Sequence, residues 1–277
     1  MENYESTILL NYPKMNILVE VRTEELLHES LKIYEAHKDN PCVITPSLPI
    51  LYFGNLPEYR NSNFKVITAA LNPSDMEFKE LQASEPSFVR FPKFESSVGS
   101  LYEALNGYFE NRPYKRWFGT SSKTKSGFLP LLEGMGASYY AGFANRALHT
   151  DLCSPLATKP TWSGLKSTEQ APLFYDGFNL WKSLLIGVKP DLILISLKKE
   201  YLDLLPLNFV QTLYVKHGKE STGRKQMKYT IEHYKIRLGD FETNLVWGSA
   251  QNTPLQPFSD KFRLGQELFE RLKPYIN

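Results

Sequence analysis

The chain has 277 residues, 42% of them hydrophobic, enough to bury one large core or two small ones. Its 32 Lys and Arg nearly balance 30 Asp and Glu, for a formal charge of +2, which excludes a polycation that grips nucleic acid through its global field. Two cysteines, Cys42 and Cys153, exclude a disulfide framework and a four-thiolate iron–sulfur cluster, and fit a reducing cytoplasm.

The opening MENYEST is acidic and lacks a basic, apolar signal, and no run approaches the ~18 apolar residues of a membrane helix. Residues 1–62 read as a helical lead-in, with Glu24, Leu26, Leu27, Leu31 and Tyr34 at helical spacing and Thr23 as N-cap. Leu48 to Phe53 reads as a short strand, and Phe64 to Leu71 as the first strong one. An aromatic, proline-containing loop at 84–98 follows, then helices over Ser100 to Phe109 and Leu129 to Tyr140. Asn145 to Leu152 is a second strand. Tyr175 to Ile186 is an amphipathic helix stopped by Gly187 and Pro190. Leu192 to Leu197 is a buried strand, with a helix beginning at Lys198 and reaching Leu205. The basic stretch Lys216 to Lys228 reads as a mobile loop. Tyr229 to Leu238 and Asn244 to Ser249 are strands, and Lys261 to Leu272 is the closing helix. Strands alternating with helices predict one α/β domain over 1–277: three layers, α/β/α, around a mostly parallel sheet of four to five strands.

The chemistry gathers at strand ends. The run Val66 to Leu71 stops at Asn72-Pro73-Ser74-Asp75, and Pro73 biases Asn72 away from helix. A buried strand that ends this way delivers short polar side chains to its carboxyl end, where open α/β sheets bind ligands. The second strand ends in His149-Thr150-Asp151-Leu152-Cys153-Ser154-Pro155, the third at Ser196, and the last in Trp247-Gly248-Ser249-Ala250-Gln251-Asn252-Thr253-Pro254-Leu255. There is no G-x-S-x-G elbow, phosphate loop or H-E-x-x-H, and the five histidines lack metal-site spacing.

Three of these segments, ALNPSDMEF, HTDLCSPLAT and QNTPL, resemble in order the motifs of the uracil-DNA glycosylase superfamily, from about residue 64 to the C-terminus. The resemblance implies a uracil-DNA glycosylase-like fold and a monofunctional, metal- and cofactor-free enzyme, acting as a monomer on duplex DNA. Such an enzyme flips one base out and hydrolyses its N-glycosidic bond to leave an abasic site. Asn72 then orients the attacking water, and Asp75 assists the water or steadies the cation. Phe88 or Phe91 supplies the aromatic face against the base. Ser74, Lys198, Lys199, Ser249, Asn252 and Thr253 contact DNA, and Leu255 is the apolar wedge that replaces the departing base.

Two departures from the family pattern bear on substrate. Asp151 stands where the family usually has Asn. An ionised Asp only accepts, so it repels uracil O4 but accepts from cytosine N4, and a protonated one also donates to cytosine N3. His149, on the same strand face, hydrogen-bonds Asp151 or touches the base. Gln251 replaces the family's leaving-group histidine, a weaker stabiliser of negative charge. Asp151, with the resemblance to anti-phage glycosylases, points to a modified, cytosine-type base, including phage hypermodified ones, and to anti-phage defence, whereas Gln251 and Asp151 also favour an inactive member. The alternatives are a repair glycosylase for uracil or mismatched thymine, and an inactive member that only binds nucleic acid or protein. The plainer readings are that Asn72 and Asp75 cap a helix, His149 and Leu255 pack inward, and the basic residues are solvated surface; the RPYKRWF cluster of Arg112 to Phe118 either grips nucleic acid or packs a helix end.

Overall fold

The computed structural model describes residues 11–78, 90–91, 94–120, 127–217, 228–248, 255, 258 and 260–276, with side chains from Arg22 onward except that of Lys228. In chain order the helices are α1 (Asn11–His37), α2 (Leu56–Arg60), α3 (Val98–Asn106), α4 (Lys115–Phe118), α5 (Leu129–Gly134), α6 (Ser167–Val188), α7 (Lys199–Leu202) and α8 (Lys261–Leu272). The strands are β1 (Val66–Ala70), β2 (Ala137–Ser138), β3 (Asn145–Asp151), β4 (Leu192–Ser196), β5 (Leu207–His217), β6 (Lys228–Leu238) and β7 (Phe241–Gly248). Among the described residues no helix is long and apolar enough to cross a membrane.

The seven strands form one mixed sheet in the order β2-β3-β1-β4-β7-β6-β5. Pairing is parallel from β2 through β7 and antiparallel from β7 to β5. The fold class is therefore α/β with a mostly parallel centre, but the four to five strands expected become seven. The centre follows from composition. All five residues of β4, LILIS, are buried between β1 and β7, as a strand covered on both faces requires. Each fully buried aliphatic side chain there stabilises the fold by about 1.5–3 kcal/mol.

Most of the discrepancy lies in β5. Its sequence, LNFVQTLYVKH, breaks period-two alternation because the register to β6 shifts twice, between Phe209 and Gln211 and between Thr212 and Tyr214. The helix expected from Lys198 to Leu205 is only the single turn α7, and the chain turns at Pro206 into this strand. The helix expected over Leu129 to Tyr140 also stops early. Gly136 takes φ 81°, and Ala137 and Ser138 then pair with β3.

The lead-in is built into the domain rather than leading to it. The first helix starts at Asn11, so Thr23 lies inside it and does not cap it; its hydroxyl accepts from Arg60 at 2.5 Å. Leu48 to Phe53 is not a strand, yet Phe53 exchanges backbone hydrogen bonds with His149 at 2.8 and 3.0 Å, extending the sheet beyond the two-residue β2.

Thr68 and His149 are in register on β1 and β3 and share one face of the sheet. Thr150 faces the other way and accepts from the Trp181 indole of α6 at 3.0 Å. α6 approaches the sheet closely at Gly177, where a Cβ would collide with the Cys153 carbonyl oxygen and with Ser154. At Gly187, near the end of the same helix, the nearest atom to a Cβ is Arg22 Cδ at 3.9 Å, an ordinary contact. Gly177→Ala is expected to lower stability by about 1–3 kcal/mol through overpacking. Gly187→Ala is expected to be neutral or stabilising by up to about 1 kcal/mol. Chemical denaturation of the two variants checks this, and equal effects would contradict the packing.

Candidate active site

Strands β1 and β4 are neighbours, but the chain leaves them in opposite directions. After β1 it crosses to β2 and β3; after β4 it runs to the β5–β7 side. Loops that diverge from adjacent parallel strands open a crevice at their carboxyl ends. A cavity of about 470 Å³ occupies that place. The loop after β1 lines it with Asn72 through Glu77, β3 with His149 and Asp151, and β4 and its exit with Ser196, Leu197 and Lys198. Aromatic walls come from Phe53, Tyr114, Trp117, Phe118 and Trp162.

Asn72 is held in one orientation. Its Nδ2 donates to the Leu156 carbonyl oxygen at 3.1 Å and to Thr158 Oγ1 at 2.9 Å. A backbone carbonyl only accepts, which identifies that atom as the nitrogen. Both amide protons are thus used, which leaves Oδ1 as the side chain's acceptor at a residue that lines the cavity. The Ser74 hydroxyl accepts from the Met76 N–H at 3.2 Å and caps a short 3₁₀ turn over Asp75–Glu77. Capping therefore falls to Ser74, while Asn72 serves the opposite wall.

That turn points Glu77 inward. The side chain is 4% exposed, accepts from the Tyr108 hydroxyl at 2.7 Å, and lies 3.6 Å from Arg90 Nε. Arg90 also donates to the Met76 carbonyl and to that of Arg112, so its charge is shared. Burial outweighs both partners and pushes the Glu77 carboxyl up to about 7. Asp151 is held well above the carboxylate range, by burial first and by Glu77 second. Burial lowers His149 to about 3. Burial thus favours the uncharged carboxylic acid at Asp151 and the neutral imidazole at His149. Their Nε2–Oδ1 separation of 3.9 Å is neither an ion pair nor a direct hydrogen bond. Burial also raises Cys153, leaving an inert thiol.

The fold brings Asn72, Ser74, Asp75, His149, Asp151 and Lys198 into one cavity. Other expected site residues fall elsewhere. Phe91 is fully buried outside the lining, against Phe53, Phe78 and Tyr108 at 6.5, 5.8 and 5.2 Å between ring centroids. It does not offer a face to a base; Phe53 and Phe118, in contact with the His149 ring at 5.5 and 5.0 Å, stand nearer that role. Leu255 is no exposed wedge. It is 3% exposed, takes φ 56°, donates its N–H to Ser196 Oγ at 2.9 Å, and fills the space left by the missing side chain of Gly248. Lys199 is exposed at the start of α7 and lies outside the lining. Phe88, Ser249, Gln251, Asn252, Thr253 and most of the Lys216 to Lys228 loop lie outside the described residues.

Glu77 was within the Asn72 segment but carried no signal of its own, since only the 3₁₀ turn makes it face inward. Tyr114 and Trp117 come from the RPYKRWF cluster; Lys115 and Arg116 between them in sequence are exposed. The chain matches no family model, no curated protein and no solved structure. Function is therefore read from the site's own chemistry.

Between its ordinary value of 4.5 and about 7, Glu77 takes up a proton on folding. The stability it contributes is thus present at low pH and lost as pH rises through that window, and Asp151 acts in the same direction. Glu77→Gln keeps an acceptor for Tyr108. It is expected to flatten the dependence of Tm on pH between about 5 and 8 and to stabilise by roughly 1–3 kcal/mol at the upper end. A slope equal to that of the parent would contradict a buried, protonated Glu77.

Proposed function

We propose that this chain is a monofunctional DNA glycosylase with a three-layer, uracil-DNA glycosylase-like fold, which flips a pyrimidine out of DNA and hydrolyses its N-glycosidic bond. The observation that carries the reading is Asn72, a cavity-lining residue whose two amide protons are tied to Leu156 and Thr158, which leaves Oδ1 as its acceptor. An amide oxygen is too weak a base to deprotonate water, but it orients one by accepting its hydrogen bond. That suffices where the sugar departs through an oxocarbenium-like state and little nucleophilic push is needed. Water adds to the anomeric carbon, the bond to the base breaks, and the base leaves with the bonding electron pair and is protonated.

The aromatic walls suit an extruded base, which needs π faces in place of the stack it has left. Lys198, exposed and in the lining, suits a phosphate. Lys198 is only weakly committed, since its 3.5 Å pair with Glu200 is between side chains more than 60% exposed.

Of the two forms expected of Asp151, burial favours the protonated one. A carboxylic acid donates and accepts, and so satisfies either the N3 and N4 groups of cytosine or, with the proton on its other oxygen, O4 and N3–H of uracil. Cytosine-type bases stand first, because an N4 amino group suits Asp151 whether ionised or not. Modified phage cytosines, and hence a role in anti-phage defence, belong to that class. Uracil or mismatched thymine repair is the second reading.

The test is incubation with duplexes carrying uracil, a thymine mismatch, cytosine or phage-type modified cytosines, with mass spectrometry of released bases. Release of a pyrimidine with intact abasic strands is expected. Asp151→Asn is expected to lower cytosine-type release by at least about tenfold relative to uracil. No base released from any of these DNAs would end the enzyme reading and leave a binding protein.

A further inference from the structure

We propose that Tyr139 and Thr68 form a buried relay that fixes His149 as its Nε2–H tautomer, so that the cavity floor presents a permanent N–H donor beside Asp151. As a means of reading a base, this rests on the glycosylase reading above; as a statement about His149, it stands on the hydrogen bonds alone.

Tyr139 Oη lies 2.6 Å from Thr68 Oγ1, and Thr68 Oγ1 lies 2.7 Å from His149 Nδ1. All three side chains are essentially inaccessible to solvent. Among the described residues, Thr68 is the one hydrogen-bond partner of the Tyr139 hydroxyl. A buried phenol with one partner donates to it, because keeping its proton unpaired in an apolar core costs about 1–3 kcal/mol. The Thr68 oxygen then receives the Tyr139 proton and has one of its own to place. Two acceptors are within reach, His149 Nδ1 at 2.7 Å and the Leu148 carbonyl at 3.5 Å. The carbonyl is at the limit of a hydrogen bond, and the short contact takes the proton. Nδ1 therefore accepts, and the single imidazole proton sits on Nε2.

The reverse arrangement, with Nδ1–H donating, would leave the Thr68 proton only the stretched 3.5 Å contact to the Leu148 carbonyl. A charged imidazolium is excluded by its surroundings. The ring is packed among Phe53, Phe118 and Phe128, at 5.5, 5.0 and 6.3 Å between centroids.

His149 Nε2 lies 3.9 Å from Asp151 Oδ1, too far for a direct hydrogen bond, so both groups, which line the cavity, are left to bond one ligand side by side. A pyrimidine supplies the match. With Asp151 on the N3 and C4 groups, the adjacent C2 carbonyl oxygen accepts from His149 Nε2–H. Adenine has a bare C–H at that place, and guanine a second donor, which the fixed N–H repels. Thr68 and Tyr139 are thus positioning residues that select pyrimidines without touching them.

The test is ¹⁵N-resolved NMR of the imidazole nitrogens at pH 7, with the His149 signals assigned by their loss in His149→Gln. Protonation at Nε2 alone is expected in the parent chain, together with a change in the Nε2–H resonance on titration with free cytosine and none with free adenine. Thr68→Val, which keeps shape but removes the hydroxyl, is expected to mix the tautomers and weaken cytosine binding by about tenfold; Tyr139→Phe is expected to do so by less. A parent signal with the proton on Nδ1, or on both nitrogens, overturns the relay, as does an Nε2–H indifferent to cytosine. The expected signals without base release from any DNA would retain the relay and remove the glycosylase reading.

Discussion

β1 is five residues long and both of its edges are occupied, by β3 on one side and β4 on the other. Everything polar at the site depends on that placement. A strand in the middle of a parallel sheet has no solvated edge, so the residues after Ala70 must turn out at its carboxyl end, where the loops after β1 and β4 part. Asn72 then meets a wall formed by the loop after β3, which continues the pairing beyond β1. Leu152 and Cys153 donate their N–H groups to the carbonyls of Ala70 and Leu71 at 2.9 and 2.8 Å. Leu156 and Thr158, the two groups that orient Asn72, are on this same loop. α6 presses on it at Gly177. The amide is thus placed by the sheet, by one crossover and by one helix.

The same depth sets the proton states. Glu77, Asp151 and His149 sit where desolvation dominates, and desolvation favours the uncharged form of each. The cavity's buried titratable groups thus favour their uncharged forms, which suits a neutral inserted group, while the half-buried Asp75 and the exposed Lys198 also line it. Desolvation also changes what Asp151 means. On the proposed function, an ionised residue would discriminate by repulsion, and the acid that burial favours would discriminate by which of its oxygens carries the proton.

Much of this was legible in the sequence where the local signal was strong. The Asn72-Pro73 turn, the His149 and Asp151 strand end, β4 and α8 were all readable from apolar runs and helical spacing, and they fall as expected. What escaped depends on structure that no short window records. The two register shifts in β5 erase its alternation. Glu77 faces inward only because Ser74 caps a 3₁₀ turn. Phe53 reaches the pocket through an isolated pairing with His149, about a hundred residues away in the chain. Leu255 turns inward because Gly248 leaves a slot, a relation between backbones rather than motifs.

The central claim is that Asn72 Oδ1 orients the water that cleaves the glycosidic bond. Single-turnover base release by the parent chain and by Asn72→Ala, on the same DNA and with folding checked by circular dichroism, tests it most directly. The account predicts a loss of at least about a hundredfold in the chemical step with DNA affinity nearly unchanged. Equal rates of release by the two proteins would contradict it.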